Sequence, residues 1–194
     1  GTGKIGRVFI DICKGFGADM IAYDPYPAKD SGIDYRPLDE LFKLSDIISL
    51  HCPLTQDTYH MINGNSIKKM KDGVIILNTS RGALIHTEAL LEGLMSEKIG
   101  GAGLDVYEEE SDLFYEDMSN TIIKDDQLVK LISLPNVVLT SHQAFLTREA
   151  LQNIAETTVK NITDFFHHNK LENEICYMCH KSEKCTDRGK NKCF

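Results

Sequence analysis

The strongest constraint on this chain is the regular alternation of short apolar runs with stretches of helical spacing. The runs are Met20 to Asp24, Ile47 to Leu50, Val74 to Leu77, Gly101 to Val106 and Val137 to Leu139. Helical spacing covers Val8 to Phe16, Leu38 to Leu44 and Thr87 to Ser96, where Thr87 is the expected N-cap, with a helical turn over Ser66 to Met70. A long amphipathic helix is expected over Arg148 to His167, with Leu151, Ile154, Ala155, Val159 and Ile162 on one side. Short runs that are apolar on successive residues suit strands buried on both faces, and intervening helices supply right-handed crossovers between parallel neighbours. The pattern therefore predicts an α/β fold with a doubly wound parallel sheet.

The 194 residues, 42% of them hydrophobic, are enough for one cored domain with an appendage. The expected division is a sheet domain over 1–147, a C-terminal helix over 148–172, and a Cys- and Lys-rich tail over 173–194. The acidic, turn-rich stretch from Asp112 to Asp126 breaks the alternation and reads as a surface excursion. A net charge of −8 argues against a nucleic-acid partner. No apolar run reaches the roughly 18 residues of a membrane span.

The six cysteines do not form the spread pattern of a secreted disulfide framework. Cys13 and Cys52 stand singly, while Cys176, Cys179, Cys185 and Cys193 cluster at the end. This usage suggests a reducing, cytoplasmic location. The terminal cluster reads first as a tail with free thiols. Four thiolates binding zinc is the alternative, although their uneven spacing matches no standard ribbon. Haem attachment at Cys176-x-x-Cys179-His180 would require export.

The chain opens with Gly1-Thr2-Gly3-Lys4-Ile5-Gly6, followed at once by helical spacing and then by a strand ending in Asp24. A glycine triplet alone is weak evidence. With a helix directly behind it and an acidic residue about 20 positions later, it predicts a dinucleotide-binding turn. The glycines allow a tight turn, close approach to a pyrophosphate and close helix–strand packing. The helix N-terminus offers unpaired N–H groups and a positive dipole end to the phosphates. Asp24 would accept a ribose hydroxyl and repel a 2′-phosphate, which favours NAD over NADP. No strand precedes the loop, so the first strand of such a fold is expected to be missing from this chain.

Three charged residues follow apolar runs: Arg81, Glu110 and His142. In a doubly wound sheet the C-terminal ends of strands line the ligand crevice, so all three are expected on one rim. The set suits carbonyl reduction. Arginine can pair with a substrate carboxylate, histidine can exchange a proton with the developing alkoxide, and a carboxylate can orient the imidazole.

The segments around these residues, among them SLHCPLT, ILNTSRGALI, GAGLDVYEEE and NVVLTSHQAFLT, resemble the D-isomer-specific 2-hydroxyacid dehydrogenases, especially the D-lactate branch. The resemblance runs from Gly1 to about Glu174. It implies a Rossmann-like NAD-binding domain with Arg81, Glu110 and His142 catalytic. The cofactor set it implies is Gly1, Gly3, Lys4, Ile5, Gly6, Tyr23, Asp24, Cys52, Pro53, Thr58, Thr79, Ser80, Arg81 and Asp105. Arg81 and Phe145 would face the substrate, and no metal is expected. The implied reaction is NAD-dependent interconversion of a 2-keto acid and a D-2-hydroxy acid, foremost pyruvate and D-lactate, in a homodimer. A D-2-hydroxyisocaproate-type activity and a non-catalytic NAD(H)-sensing module are the alternatives. Ala83 and His86 depart mildly from the family pattern. The family's N-terminal substrate-binding segment has no counterpart here, so the chain is expected to be a fragment that is inactive alone.

Overall fold

The computed structural model describes residues 1–109, 124–168 and 173. They divide into two compact units, Gly1–Gln143 and Ala144 onward. In the first unit the order is α1 (Lys4–Gly15), β1 (Ile21–Ala22), β2 (Asp34–Tyr35), α2 (Leu38–Leu44), β3 (Ile47–Leu50) and α3 (Gly64–Lys69). It continues with β4 (Val74–Asn78), a 3-10 turn at Gly82–Leu84, α4 (Thr87–Met95), β5 (Ile99–Leu104), α5 (Asp126–Ser133) and β6 (Val137–Leu139). The second unit holds α6 (Arg148–Thr163) and a π turn at Asp164–His168. No helix among the described residues is long and apolar enough to cross a membrane.

Strands β3, β4, β5 and β6 form a four-stranded sheet in that order, all pairs parallel. Strands β1 and β2 pair only with each other, also in parallel. The expected parallel α/β architecture is present, although among the described residues it is split into these two sheets. The run expected over Met20 to Asp24 pairs only at Ile21 and Ala22.

The sequence supplies clear reasons for the helix boundaries. α1 stops where Gly17 takes φ +78, a left-handed conformation that costs glycine little, and Gly17 N–H caps the Lys14 carbonyl at 2.9 Å. Asn63 and Ser66 form a reciprocal capping box that starts α3. Asp125 caps α5 by accepting from the N–H groups of Gln127 and Leu128. Helix α5 is not among the sequence expectations; its opening residue, Asp126, is the last residue of the expected excursion. Residues 112–123 of that stretch lie outside the described residues.

One cap differs from expectation. The N-cap of α4 is His86, whose Nδ1 accepts from Ala89 N–H at 3.4 Å. Thr87 is already helical, and its hydroxyl donates to Glu108 instead.

The core lies between the sheet and its helices. Ile62, Ile76, Leu84, Ile99 and Leu131 are fully buried, with Phe42, Val74 and Leu90 nearly so. Each such side chain contributes about 1.5–3 kcal/mol by leaving water. Within its own unit α6 buries no residue, and Leu151, Ile154, Val159 and Ile162 are all exposed.

Candidate active site

The phosphate loop is shaped by backbone crowding. A Cβ on Gly1 would lie 2.6 Å from the His51 carbonyl oxygen, and one on Gly6 would collide with the Gly1 carbonyl. A side chain at either position would push the loop off β3 or α1 off the loop. Gly3 is different: a Cβ there meets nothing within 4 Å. Space is kept clear at the position where a pyrophosphate must come close to backbone. The N-terminus of α1 has no side-chain cap and no acidic residue in its first turn, so its N–H groups and dipole are left for an anion. These features fit a dinucleotide held by Gly1, Gly3, Lys4, Ile5 and Gly6.

Asp24 lies two residues beyond β1. Its Oδ2 accepts from Thr2 N–H at 2.7 Å and from the Thr2 hydroxyl at 3.0 Å, and its Oδ1 accepts from Tyr26 N–H at 2.9 Å. Partial burial pushes its pKa up, but these hydrogen bonds outweigh that and hold it below the usual carboxylate range. Asp24 is therefore anionic and oriented, as ribose recognition requires.

Cys52 and Pro53 follow β3. Burial raises the Cys52 thiol pKa, which keeps it protonated, and the Cys52 carbonyl accepts from the Ser80 hydroxyl at 2.6 Å. Thr58 closes the same loop by donating to the Pro53 carbonyl at 2.8 Å. The neighbouring His51 ring is kept neutral by burial and pairs with the Ser49 hydroxyl at 2.9 Å.

Three adjacent strands then present Arg81, Asp105 and His142 just past their C-terminal ends. At the end of β4, the fully buried Asn78 braces the turn, accepting from Ser80 N–H and donating to the Arg81 carbonyl. Thr79 and the Arg81 side chain are exposed, and Arg81 Nη1 donates to the Ser80 carbonyl at 2.7 Å. Behind β5, Asp105 is 5% exposed. Its Oδ1 accepts from the Thr140 hydroxyl at 2.5 Å and from Gln143 N–H at 2.7 Å, while its carbonyl accepts from His142 N–H at 2.7 Å. His142 sits at φ +52 within this clamp, a left-handed conformation that is costly for a side chain of its size.

Glu110 lies outside the described residues, as do Cys176, Cys179, Cys185 and Cys193. Phe145 belongs to the second unit and is exposed. The carboxylate that does stand out beyond β5 is Glu108, which sequence reading leaves unassigned. Its Oε1 pairs with His60 Nε2 at 2.5 Å, and its Oε2 accepts from the Thr87 N–H and hydroxyl at 2.9 and 2.8 Å. Burial pushes its pKa up, but the Thr87 and His60 contacts outweigh that and lower it. Thr2 and Tyr35, which contact Asp24 directly and through Thr2, are also missing from the sequence expectations. Their contacts join residues 22 and 33 positions apart, a separation that carries no periodic signal.

Residues 1–144 match the family of D-isomer specific 2-hydroxyacid dehydrogenase, NAD binding domain. The chain is 50% identical over 178 residues to a D-lactate dehydrogenase of Escherichia coli K12, covering 90% of this chain and 54% of that one. The solved pyruvate reductase of Chlamydomonas reinhardtii superposes with a TM-score of 0.81 at 47% identity, over 85% of this chain and 52% of the other. A D-2-hydroxyisocaproate dehydrogenase structure superposes with a TM-score of 0.82 at 41% identity, over 90% and 54%. The chain thus spans about half the length of the relatives it matches. With its phosphate loop, anionic Asp24 and charged strand ends, this chain belongs to the D-isomer specific 2-hydroxyacid dehydrogenases, and residues 1–144 are their NAD-binding domain.

Proposed function

We propose that the protein containing this chain interconverts a 2-keto acid and a D-2-hydroxy acid with NAD, foremost pyruvate and D-lactate. The observation that carries this reading is the placement of Arg81 and His142 beyond the ends of β4 and β6, on either side of β5, which Asp105 follows. NAD would be held by Gly1, Gly3, Lys4, Ile5 and Gly6 at its phosphates and by Tyr23 and Asp24 at its ribose. Cys52, Pro53, Thr58, Thr79, Ser80, Arg81 and Asp105 would line the remainder. The bound cofactor supplies or accepts the hydride.

Arg81 pairs with the substrate carboxylate and polarises the neighbouring carbonyl. His142 donates a proton to the oxygen that gains charge during reduction and removes it in the reverse direction. Glu110 would orient the His142 ring, and Asp105 fixes the backbone that carries it. The likeness to the D-2-hydroxyisocaproate dehydrogenase supports a second reading, in which bulkier 2-keto acids are reduced. Both readings concern the protein that contains this chain, which spans about half the length of the relatives it matches.

The test is NADH oxidation by that protein with a panel running from pyruvate to 2-ketoisocaproate. Turnover highest with pyruvate supports the first reading, and a maximum at the branched acid supports the second. NADH binding without turnover on any acid would sink both in favour of a sensor. A homodimer and a cytoplasmic location belong to the same proposal. Exposed Ile5, Val8 and Ile12 on α1, with Phe16 at its C-cap, are apolar surface that an interface could cover, and light scattering reads the mass directly.

A further inference from the structure

We propose that Thr2 and Tyr35 form a hydrogen-bond relay that orients the Asp24 carboxylate, and so sets the preference for a ribose 2′-hydroxyl over a 2′-phosphate. Thr2 is 3% exposed, although it belongs to a loop whose neighbours Gly1 and Gly3 are open to solvent. Its hydroxyl lies 3.0 Å from Asp24 Oδ2 and 2.9 Å from the Tyr35 hydroxyl. A threonine hydroxyl has one proton, and an ionised carboxylate can only accept. Thr2 therefore donates to Asp24, and Tyr35 must donate to Thr2. Ala28 N–H reaches the Tyr35 oxygen at 3.3 Å, which agrees with that direction. On the other side of the residue, Arg7 Nε donates to the Thr2 carbonyl at 2.9 Å and fixes its backbone.

A carboxylate offers about four acceptor positions. Thr2 N–H, the Thr2 hydroxyl and Tyr26 N–H fill three of Asp24's. What remains is one acceptor in a fixed direction, which suits a single ribose hydroxyl and places full negative charge against a phosphate. Without the relay the carboxylate keeps its charge but can turn. It then loses the hydroxyl and can also swing away from a phosphate. Tyr35 and Thr2 are positioning residues, since both act through Asp24. The proposal rests on Asp24 being the ribose acceptor.

The experiment measures NADH and NADPH dissociation constants by fluorescence titration, using the protein from its complete reading frame. The variants are Thr2→Val, Thr2→Ser, Tyr35→Phe, Thr2→Val with Tyr35→Phe, and Asp24→Ala. Thr2→Val is nearly isosteric and should lower the NADPH-to-NADH ratio of dissociation constants by about tenfold, with Tyr35→Phe lowering it by about threefold. Thr2→Ser, which keeps the hydroxyl, should restore the ratio. In the Thr2→Val background Tyr35→Phe should add nothing, because a relay has no effect beyond its broken link. Equal weakening of both dinucleotides, additive effects of the two changes, or an unchanged ratio in Thr2→Val overturns the relay. If Asp24→Ala also leaves the ratio unchanged, the ribose reading falls with it. If Asp24→Ala abolishes the preference while the relay variants do not, the relay alone is wrong.

Discussion

Removing the Glu108 side chain isolates a contact that joins three separate parts of the first unit. Glu108 links the segment after β5 to the first residue of α4 and to His60 in the loop before α3. Glu108→Ala leaves the Thr87 N–H, on a residue 4% exposed, without its acceptor, at a cost of about 1–3 kcal/mol. It also removes an anion from the N-terminus of α4, worth about 0.3–1 kcal/mol. Together these amount to roughly 3 kcal/mol, which in a domain of this size lowers the melting temperature by roughly 6–12 °C. Circular dichroism melting of the wild type and Glu108→Ala reads the difference. Glu108→Gln keeps an oxygen for Thr87 but not the charge, and should lose about 1 kcal/mol.

The pH dependence has a definite sign. The folded state holds Glu108's pKa below its ordinary value, so its contribution is complete above the unfolded-state value and is lost as pH falls through the folded one. The melting gap between wild type and Glu108→Ala should therefore narrow as pH drops below about 4.3. A gap under about 2 °C at neutral pH, or one that does not narrow on acidification, would refute the reasoning.

Other expectations follow from single positions. Gly3→Ala should leave the melting temperature unchanged, because its Cβ meets nothing within 4 Å, yet should weaken NADH binding on the order of tenfold by filling the cleared space. Gly82→Ala should be destabilised by roughly 3 kcal/mol in chemical denaturation, since its Cβ would collide with the Tyr107 carbonyl and the Glu108 amide, neither of which can rotate away. His142→Gly should be more stable than His142→Ala by about 1 kcal/mol, reflecting the left-handed backbone, while both lose turnover with any 2-keto acid.

The amino-acid sequence alone determined the fold class and most of the elements, though not β2 or α5. Leu38–Leu44, Ile47–Leu50 and Val137–Leu139 occur as the spacing predicts, because core-facing runs and helical periodicity are local properties. Arg81 and His142 were legible past strand ends for the same reason: placing them on one rim requires only that the strands be parallel, whereas Asp105 was expected only from the family resemblance and Glu110, the third residue expected there, lies outside the described residues. Other features depended on packing between segments remote in sequence. Thr87 reads as a cap, yet its hydroxyl goes to Glu108 21 residues away, and His86 caps the helix. The left-handed turn at His142 is held by an Asp105 carboxylate 38 residues before Gln143. Thr2 carries no signal of its own between two glycines, and only the fold brings it between Asp24 and Tyr35. Periodicity records which face of an element is buried. Which polar atoms meet across elements is decided by strand order and crossover geometry, and that is where the orientation of the candidate site residues is set.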